Sequence, residues 1–345
     1  MKNTFFKYIC ILLLGVCACS SKTDKDKKII TLSVRKSFPS SQSGVVFNMP
    51  NTIALNDQGH LFVNDQMASH IVEFDTTGKF LKFIGRKGRG PLEFVNQSGI
   101  LVSHHKLWVV DQGNMRVSVI STEPKNQLLN SFLIKNVPIS MAWHKNHLYS
   151  YTQKISFETK IKKPESYSLI TVYDKDGHIV RKFGKLFDFI DGMSPRASLP
   201  IIKIYKNKLY ALSYYYPILQ VFDLKKKTNK LLHKIYLSNN IQSYKDLVSK
   251  NYLPSTFASP KAMSTRYLFR SMDVNKHGIY IGLYIPYLVI DHYSLKGKFI
   301  NRYVDKKVGE DFYLHDFSVM NTKDKKVKFI ALITEEDISK INIYE

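Results

Sequence analysis

An apolar residue followed by an aromatic or second apolar one recurs along the chain at Leu61-Phe62, Leu107-Trp108, Leu148-Tyr149, Leu209-Tyr210, Ile279-Tyr280 and Phe329-Ile330. Successive pairs lie 46, 41, 61, 70 and 50 residues apart. Each pair sits in the same short grammar. An apolar run and a polar turn precede it, as in IALNDQGH, ILVSHHK, SMAWHKNH and IIKIYKNK. A third run follows, as in IVEFD, VSVIS, LITVYD and LQVFD, and in most units a turn such as Thr77-Gly78, Asp176-Gly177 or Lys296-Gly297 leads to a fourth. Such runs of β-branched and aromatic residues between Gly, Asp and Asn turns are strands joined by hairpins. Four antiparallel strands returning about every 40–50 residues make one blade of a β-propeller. Six units predict an all-β, six-bladed ring. An open sandwich of independent hairpins is the alternative, but it leaves the regular return without a cause. The sixth unit ends at Glu345 without an outer strand. The segment Ile29-Ile30-Thr31-Leu32-Ser33-Val34 is expected to supply it, closing the ring and hiding two strand edges.

The N-terminus has a different character. Lys2 and Lys7 flank the start of an apolar run that ends Val16-Cys17-Ala18-Cys19-Ser20-Ser21. The run is shorter than the roughly 20 residues of a spanning helix and reads as a secretory signal. Its end resembles a bacterial lipobox with Cys19 as the lipidated residue, and Cys17 as a competing site. The expected organisation is a signal peptide over 1–18, a polar tether over 19–28, and a propeller over 29–345 with an insertion at 238–270. All three cysteines, Cys10, Cys17 and Cys19, fall in the signal and its lipobox. The propeller therefore has no disulfide, thiolate metal site or cysteine nucleophile.

The chain has a formal net charge of +23. Dispersed lysines that keep the domain soluble near an anionic membrane would explain it, and so would a patch for polyanions such as acidic glycans. Nucleic acid is not expected for an exported protein.

The most legible stretch is GRKGRGPLEF followed by LWVVDQGNMRVSVI. Gly85, Gly88 and Gly90 permit positive φ and close backbone approach in a blade-linking connector, and Phe94 is expected to wedge between neighbouring blades. A phosphate-binding loop is excluded, because no Gly-Lys-Ser/Thr follows and no helix opens there. The pattern of Gly-rich link, Phe, strand, Asp, Asn, Arg and strand resembles the NHL repeat. With the lipobox, the whole resembles the NHL-like or TolB-like six-bladed propeller lipoproteins of Bacteroidetes. That resemblance implies a propeller in the cell envelope and carries over no catalytic residue. Units three and four depart from it, with Ser150-Tyr151-Thr152 and Ser213-Tyr214-Tyr215 where the Asp would sit.

In a four-stranded antiparallel blade, the inter-blade link and the second hairpin share one face. That face collects all the long or aromatic loops: 85–99, 111–116, 151–167, 184–199, 214–217, 238–270 and 284–287. Long loops at one end of a rigid scaffold are where binding resides. Candidate ligand-binding residues there are Arg86, Lys87, Arg89, Arg116, Arg196, Tyr215, Tyr284 and Tyr287. Tyrosines stack on sugar rings, and arginines pair with carboxylates or sulfates. Packing between blades is the competing role for the tyrosines, and solvated loop charge for the arginines. His104-His105 and His144/His147 fall in tight turns of the opposite face, and His315-Asp316 can line the channel. No metal site, cofactor or catalytic set is expected. The reading is a monomeric, lipid-anchored outer-membrane binding module for an envelope protein or an anionic glycan, touching the membrane only through its lipid. A lyase or hydrolase working from the axial channel is the rival.

Overall fold

The computed structural model describes residues 28–123, 125–134, 136–153, 168–187, 199–225, 229–237, 267–307, 311–321 and 327–345. They form six four-stranded antiparallel blades. Blade 1 comprises Pro50–Leu55, Leu61–Asp65, His70–Phe74 and Phe80–Ile84. Blade 2 comprises Gln97–Ser103, Lys106–Asp111, Arg116–Ser121 and Leu128–Leu133, and blade 3 Val137–His144, His147–Gln153, Ile170–Tyr173 and Ile179–Phe183. Blade 4 is Pro200–Tyr205, Lys208–Ser213, Ile218–Asp223 and Leu231–Tyr236. Blade 5 is Phe269–Asn275, Gly278–Leu283, Leu288–Tyr293 and Phe299–Asp305. Blade 6 contributes Tyr313–Asn321, Val327–Glu335 and Ile338–Tyr344 from the C-terminal end of the chain. The first strand of each blade surrounds the axis and meets its neighbours, the sixth meeting the first.

The paired apolar signature has a packing cause. Adjacent residues of a strand point to opposite faces of the sheet, and a blade is covered on both faces. Leu61 and Val63 pack into the seam with blade 6, whereas Phe62 between them packs into the seam with blade 2. Leu107 and Val109 face blade 1, and Trp108 and Val110 face blade 3. Leu209 and Ala211 face blade 3, and Tyr210 and Leu212 face blade 5. One hydrophobic cluster fills each seam. The second strand of every blade must therefore be apolar at consecutive positions, which is why its pairs stand out in the sequence.

Closure by the N-terminal segment takes a form the sequence does not predict. The outer strand of blade 6 is Val34–Phe38, antiparallel to Ile338–Tyr344 with Phe38 opposite Ile341. The apolar segment expected there lies mostly one blade earlier. Lys28–Thr31 runs parallel to Phe299–Asp305 as a fifth strand on blade 5, and the chain crosses to blade 6 at Leu32-Ser33. Leu32 is buried in the seam between blades 5 and 6, and Phe38 in the seam between blades 6 and 1. Only one residue in Val34–Phe38 is buried, so this strand carries almost no apolar signature. The N-terminal segment thus spans two blades and two seams.

Candidate functional site at the channel mouth

The connector after blade 1 is a built structure. Phe94 is fully buried among Phe62, Ile71 and Ile84 of blade 1 and Leu107, Val109 and Ile120 of blade 2. Gly85 has φ +84, and a Cβ there would meet the Phe94 ring at 2.2 Å, so glycine is required at that position. Asp111 at the end of the second strand accepts from the Val95 amide at 2.8 Å. Its other oxygen accepts from Asn114 at 2.7 Å and from Nε of Arg116 at 2.9 Å. Arg116 also donates to the carbonyls of Arg89, Gly90 and Glu93. The Asp, Asn and Arg of the sharp motif therefore clamp the link onto the blade. In blade 1 Asp65 does the same, accepting from the Asn48 and Met49 amides at 2.8 Å.

These facts locate the basic candidates. All three guanidinium nitrogens of Arg116 are engaged by protein acceptors, so its side chain belongs to the scaffold. Arg86 pairs with Glu93 at 2.9 Å on the exposed rim, and Lys87 and Arg89 are exposed beside it. Arg196 lies outside the described residues, as does most of the insertion, 238–266.

Across the ring, blade 4 carries Ser213 in place of the Asp, with Tyr214, Tyr215 and Tyr216 directly after it. At the corresponding position of blade 4, Ser213 Oγ accepts from the Tyr215 and Tyr216 amides at 3.2 and 3.0 Å. Tyr214 N–H donates to the Leu199 carbonyl, Leu268 N–H to the Tyr214 carbonyl, and Tyr284 N–H to the Leu268 carbonyl, at 2.8–3.0 Å. This backbone chain ties the second hairpins of blades 4 and 5 to the links beside them. It brings Tyr214, Tyr215 and Tyr284 against Tyr267, whose ring lies 5.0 Å from Tyr215, 5.6 Å from Tyr214 and 5.8 Å from Tyr284. Tyr284 meets Tyr313, the first residue of blade 6's inner strand, edge-to-face at 5.3 Å. Tyr287 is partly buried against the seam between blades 4 and 5.

This wall stands at the mouth of an axial cavity of about 1310 Å³ lined mainly by the six inner strands. Tyr214, Arg270, Tyr313 and His315 all line it. Arg270, second residue of blade 5's inner strand, places its guanidinium 5.1 Å from the Tyr313 ring centre. Its Nε is buried and has no hydrogen-bond partner, and no ion pair to it occurs among the described residues. His315 meets Thr334 Oγ1 at 2.7 Å. Burial, with Arg270 nearby adding to it, pushes its pKa down to about 4, so the ring is neutral at pH 7. Burial pushes the Tyr214 phenol up and that of Tyr313 up to about 12, which keeps both protonated donors.

Two of the channel's acids, Asp273 and Asp316, are structural. Asp316 accepts from the Phe317 amide at 2.9 Å, from Ile53 of blade 1 at 3.1 Å, and from the Ser271 hydroxyl of blade 5. Asp273 accepts from the Val319 amide of blade 6 at 2.8 Å. Among the described residues no group of three or more His, Cys, Asp or Glu side chains could hold a metal ion. His104 and His105 sit in the left-handed turn of the opposite face, and His144 meets Asn207 at 3.2 Å.

Arg270, Tyr214, Tyr267 and Tyr313 escape the sequence reading. Tyr267 and Arg270 fall at the end of what reads as an insertion. The signal that could have found Arg270 is its place directly before Ser271-Met272-Asp273-Val274, within the inner strand of blade 5.

The closed ring and its mouth define a six-bladed β-propeller with an aromatic wall at one mouth of its channel. The chain belongs to the DUF5128 family, described as a 6-bladed beta-propeller and matched over residues 41–284. No curated protein sequence matches it. Among solved structures it is similar to a protein of Bacteroides fragilis NCTC 9343 predicted to be exported, at 15% identity and TM-score 0.57, covering 92% of this chain and 99% of that one. It is also similar to a DUF4221-family member from Bacteroides vulgatus ATCC 8482, at 11% identity and TM-score 0.54, covering 91% and 97%. A virginiamycin B lyase from Staphylococcus aureus matches at 10% identity and TM-score 0.51, covering 91% and 99%. At such identities the likeness is one of fold.

Proposed function

We propose that this chain is an exported binding module, lipid-anchored to an outer membrane, that takes an anionic saccharide at the mouth of its axial channel. The observation that carries the reading is Arg270, whose guanidinium lines the 1310 Å³ cavity beside a wall of tyrosines and whose buried Nε has no acceptor among the described residues. An anion in the cavity would gain charge-assisted hydrogen bonds from the guanidinium that lines it. Rigid tyrosines offer ring faces and hydroxyl donors at small entropic cost. The net charge of +23 favours polyanion approach. The signal-like N-terminus with Cys19, and the fold shared with a protein predicted to be exported, support the location. The NHL-like spelling of blades 1 and 2 supports the family resemblance and serves the scaffold.

The test is a glycan array with the full chain at two salt concentrations. Binding to acidic glycans that weakens with salt is the expected result. Absence of glycan binding at both concentrations would reject the saccharide and turn attention to an envelope protein. The rival, a lyase or hydrolase in the channel, would shorten the bound glycan, which mass spectrometry of the eluted material reads directly.

A further inference from the structure

Resting on the reading of the channel mouth as an anion site, we propose that the group it recognises is a single carboxylate carried on a sugar ring, as in a uronic-acid unit. The carboxylate sits on Arg270, and the ring lies against the tyrosine wall.

Charge and shape both select this group. Arg270 offers a planar fork of N–H donors, with Nε already desolvated and without an acceptor among the described residues. Two coplanar carboxylate oxygens match that fork, whereas a tetrahedral group leaves further oxygens in need of donors. A second cation would be the usual way to satisfy those oxygens. The other basic residue lining the cavity is Lys203. It pairs with Tyr210 in blade 4 as Asp273 pairs with Tyr280 in blade 5, so the two hold equivalent positions on adjacent inner strands. That level is three residues deeper than Arg270, roughly 10 Å along a strand, and already balances plus with minus. At the mouth itself His315 is neutral, and Asp311, Asp316 and Asp337 line the same cavity. One negative charge suits this setting, and two do not.

The wall supplies the second half of recognition. Tyr214, Tyr267, Tyr284 and Tyr313 hold one another in edge-to-face contacts, so their orientation is set before a ligand arrives. Tyr267 is the most open of them, at 36% exposure. Because Tyr214 and Tyr313 stay protonated, they donate to ring hydroxyls without repelling a carboxylate.

The experiment compares oligogalacturonate, its methyl ester and a κ-carrageenan oligosaccharide, which carries sulfate and no carboxylate. The array also displays other uronate-bearing glycans and neutral ones. Binding is measured to the full chain and to Arg270→Gln, Arg270→Lys and Tyr267→Ala, with circular dichroism as the folding control. Carboxylated glycans should bind. Esterification should weaken them about 10- to 100-fold, and Arg270→Gln by a similar factor. Arg270→Gln should leave the ester's residual affinity unchanged, and Arg270→Lys should recover only part of the loss. If Arg270→Gln fails to fold, the ester comparison on the natural chain and the loss in Tyr267→Ala decide the matter. Equal or tighter binding of sulfated glycans, or carboxylate binding indifferent to Arg270, overturns the carboxylate assignment while leaving the binding module standing. Absence of glycan binding altogether removes both.

Discussion

Replacing Arg116 by methionine tests whether the sharpest sequence motif serves the scaffold or a ligand. Arg116 is 15% exposed and Asp111 is fully buried. Methionine keeps much of the side-chain volume but removes the cation. Asp111 then remains buried with the Val95 and Asn114 donors and no countercharge, and the carbonyls of Arg89, Gly90 and Glu93 lose their donor. Breaking a buried pair from one side costs about 3–5 kcal/mol, most of it from the stranded charge. The thermal midpoint should fall by several degrees. Hydrogen exchange should quicken locally over residues 86–96, because the lost bonds hold that link. Arg116→Lys should recover less than half of the stability, since an ammonium cannot reach three carbonyls and a carboxylate at once. Arg86→Ala is the contrast. Its pair with Glu93 is made by a side chain 81% exposed, so its removal should leave the midpoint in place. A loss below about 1 kcal/mol in Arg116→Met, with unchanged exchange over the link, would refute the clamp.

Three further outcomes follow from the geometry. Phe94→Ala empties a fully buried site between blades 1 and 2 and should cost about 3–5 kcal/mol in urea denaturation, while Gly85→Ala should destabilise through both its φ of +84 and its clash with that ring. Phe38→Ala should loosen the closing strand, seen as faster exchange of the Ile338–Tyr344 amides and as growth of aggregates through the freed edge of blade 6. His315 should make the fold acid-sensitive: with a folded pKa of about 4 against 6.5, the unfolded chain takes up a proton that the folded chain refuses. Its contribution is present above pH 6.5 and is lost as the pH falls toward 4, by up to about 2–3 kcal/mol. His315→Gln should lose less stability between pH 7 and pH 4.5 than the natural chain does, and equal losses would count against the assignment.

Strand number and blade order were legible because blade packing forces consecutive apolar positions into every second strand. Local composition also displayed the clamp of blades 1 and 2, since Gly85, Phe94, Asp111 and Arg116 all act within one stretch of chain. What those residues do was not legible. An arginine in a loop reads alike whether it faces solvent, as Arg86 does, or closes on a buried aspartate, as Arg116 does. The difference lies in burial, which depends on the neighbouring blade. The closing strand was misplaced for a related reason. Ile29–Thr31 is the more apolar segment, yet Val34–Phe38 completes blade 6 through main-chain pairing and the single buried Phe38.

By itself, then, the sequence determined a ring of six blades, because period and alternation are properties of nearest neighbours along the chain and survive without coordinates. Only the tertiary structure decided where the candidate site lies. Tyr214, Tyr267, Arg270, Tyr284 and Tyr313 come from two hairpins, one inter-blade link and the starts of two inner strands, and nothing in their spacing announces that they meet. Ring closure brings them to one mouth, and that no acid among the described residues pairs with Arg270 is a fact about three dimensions.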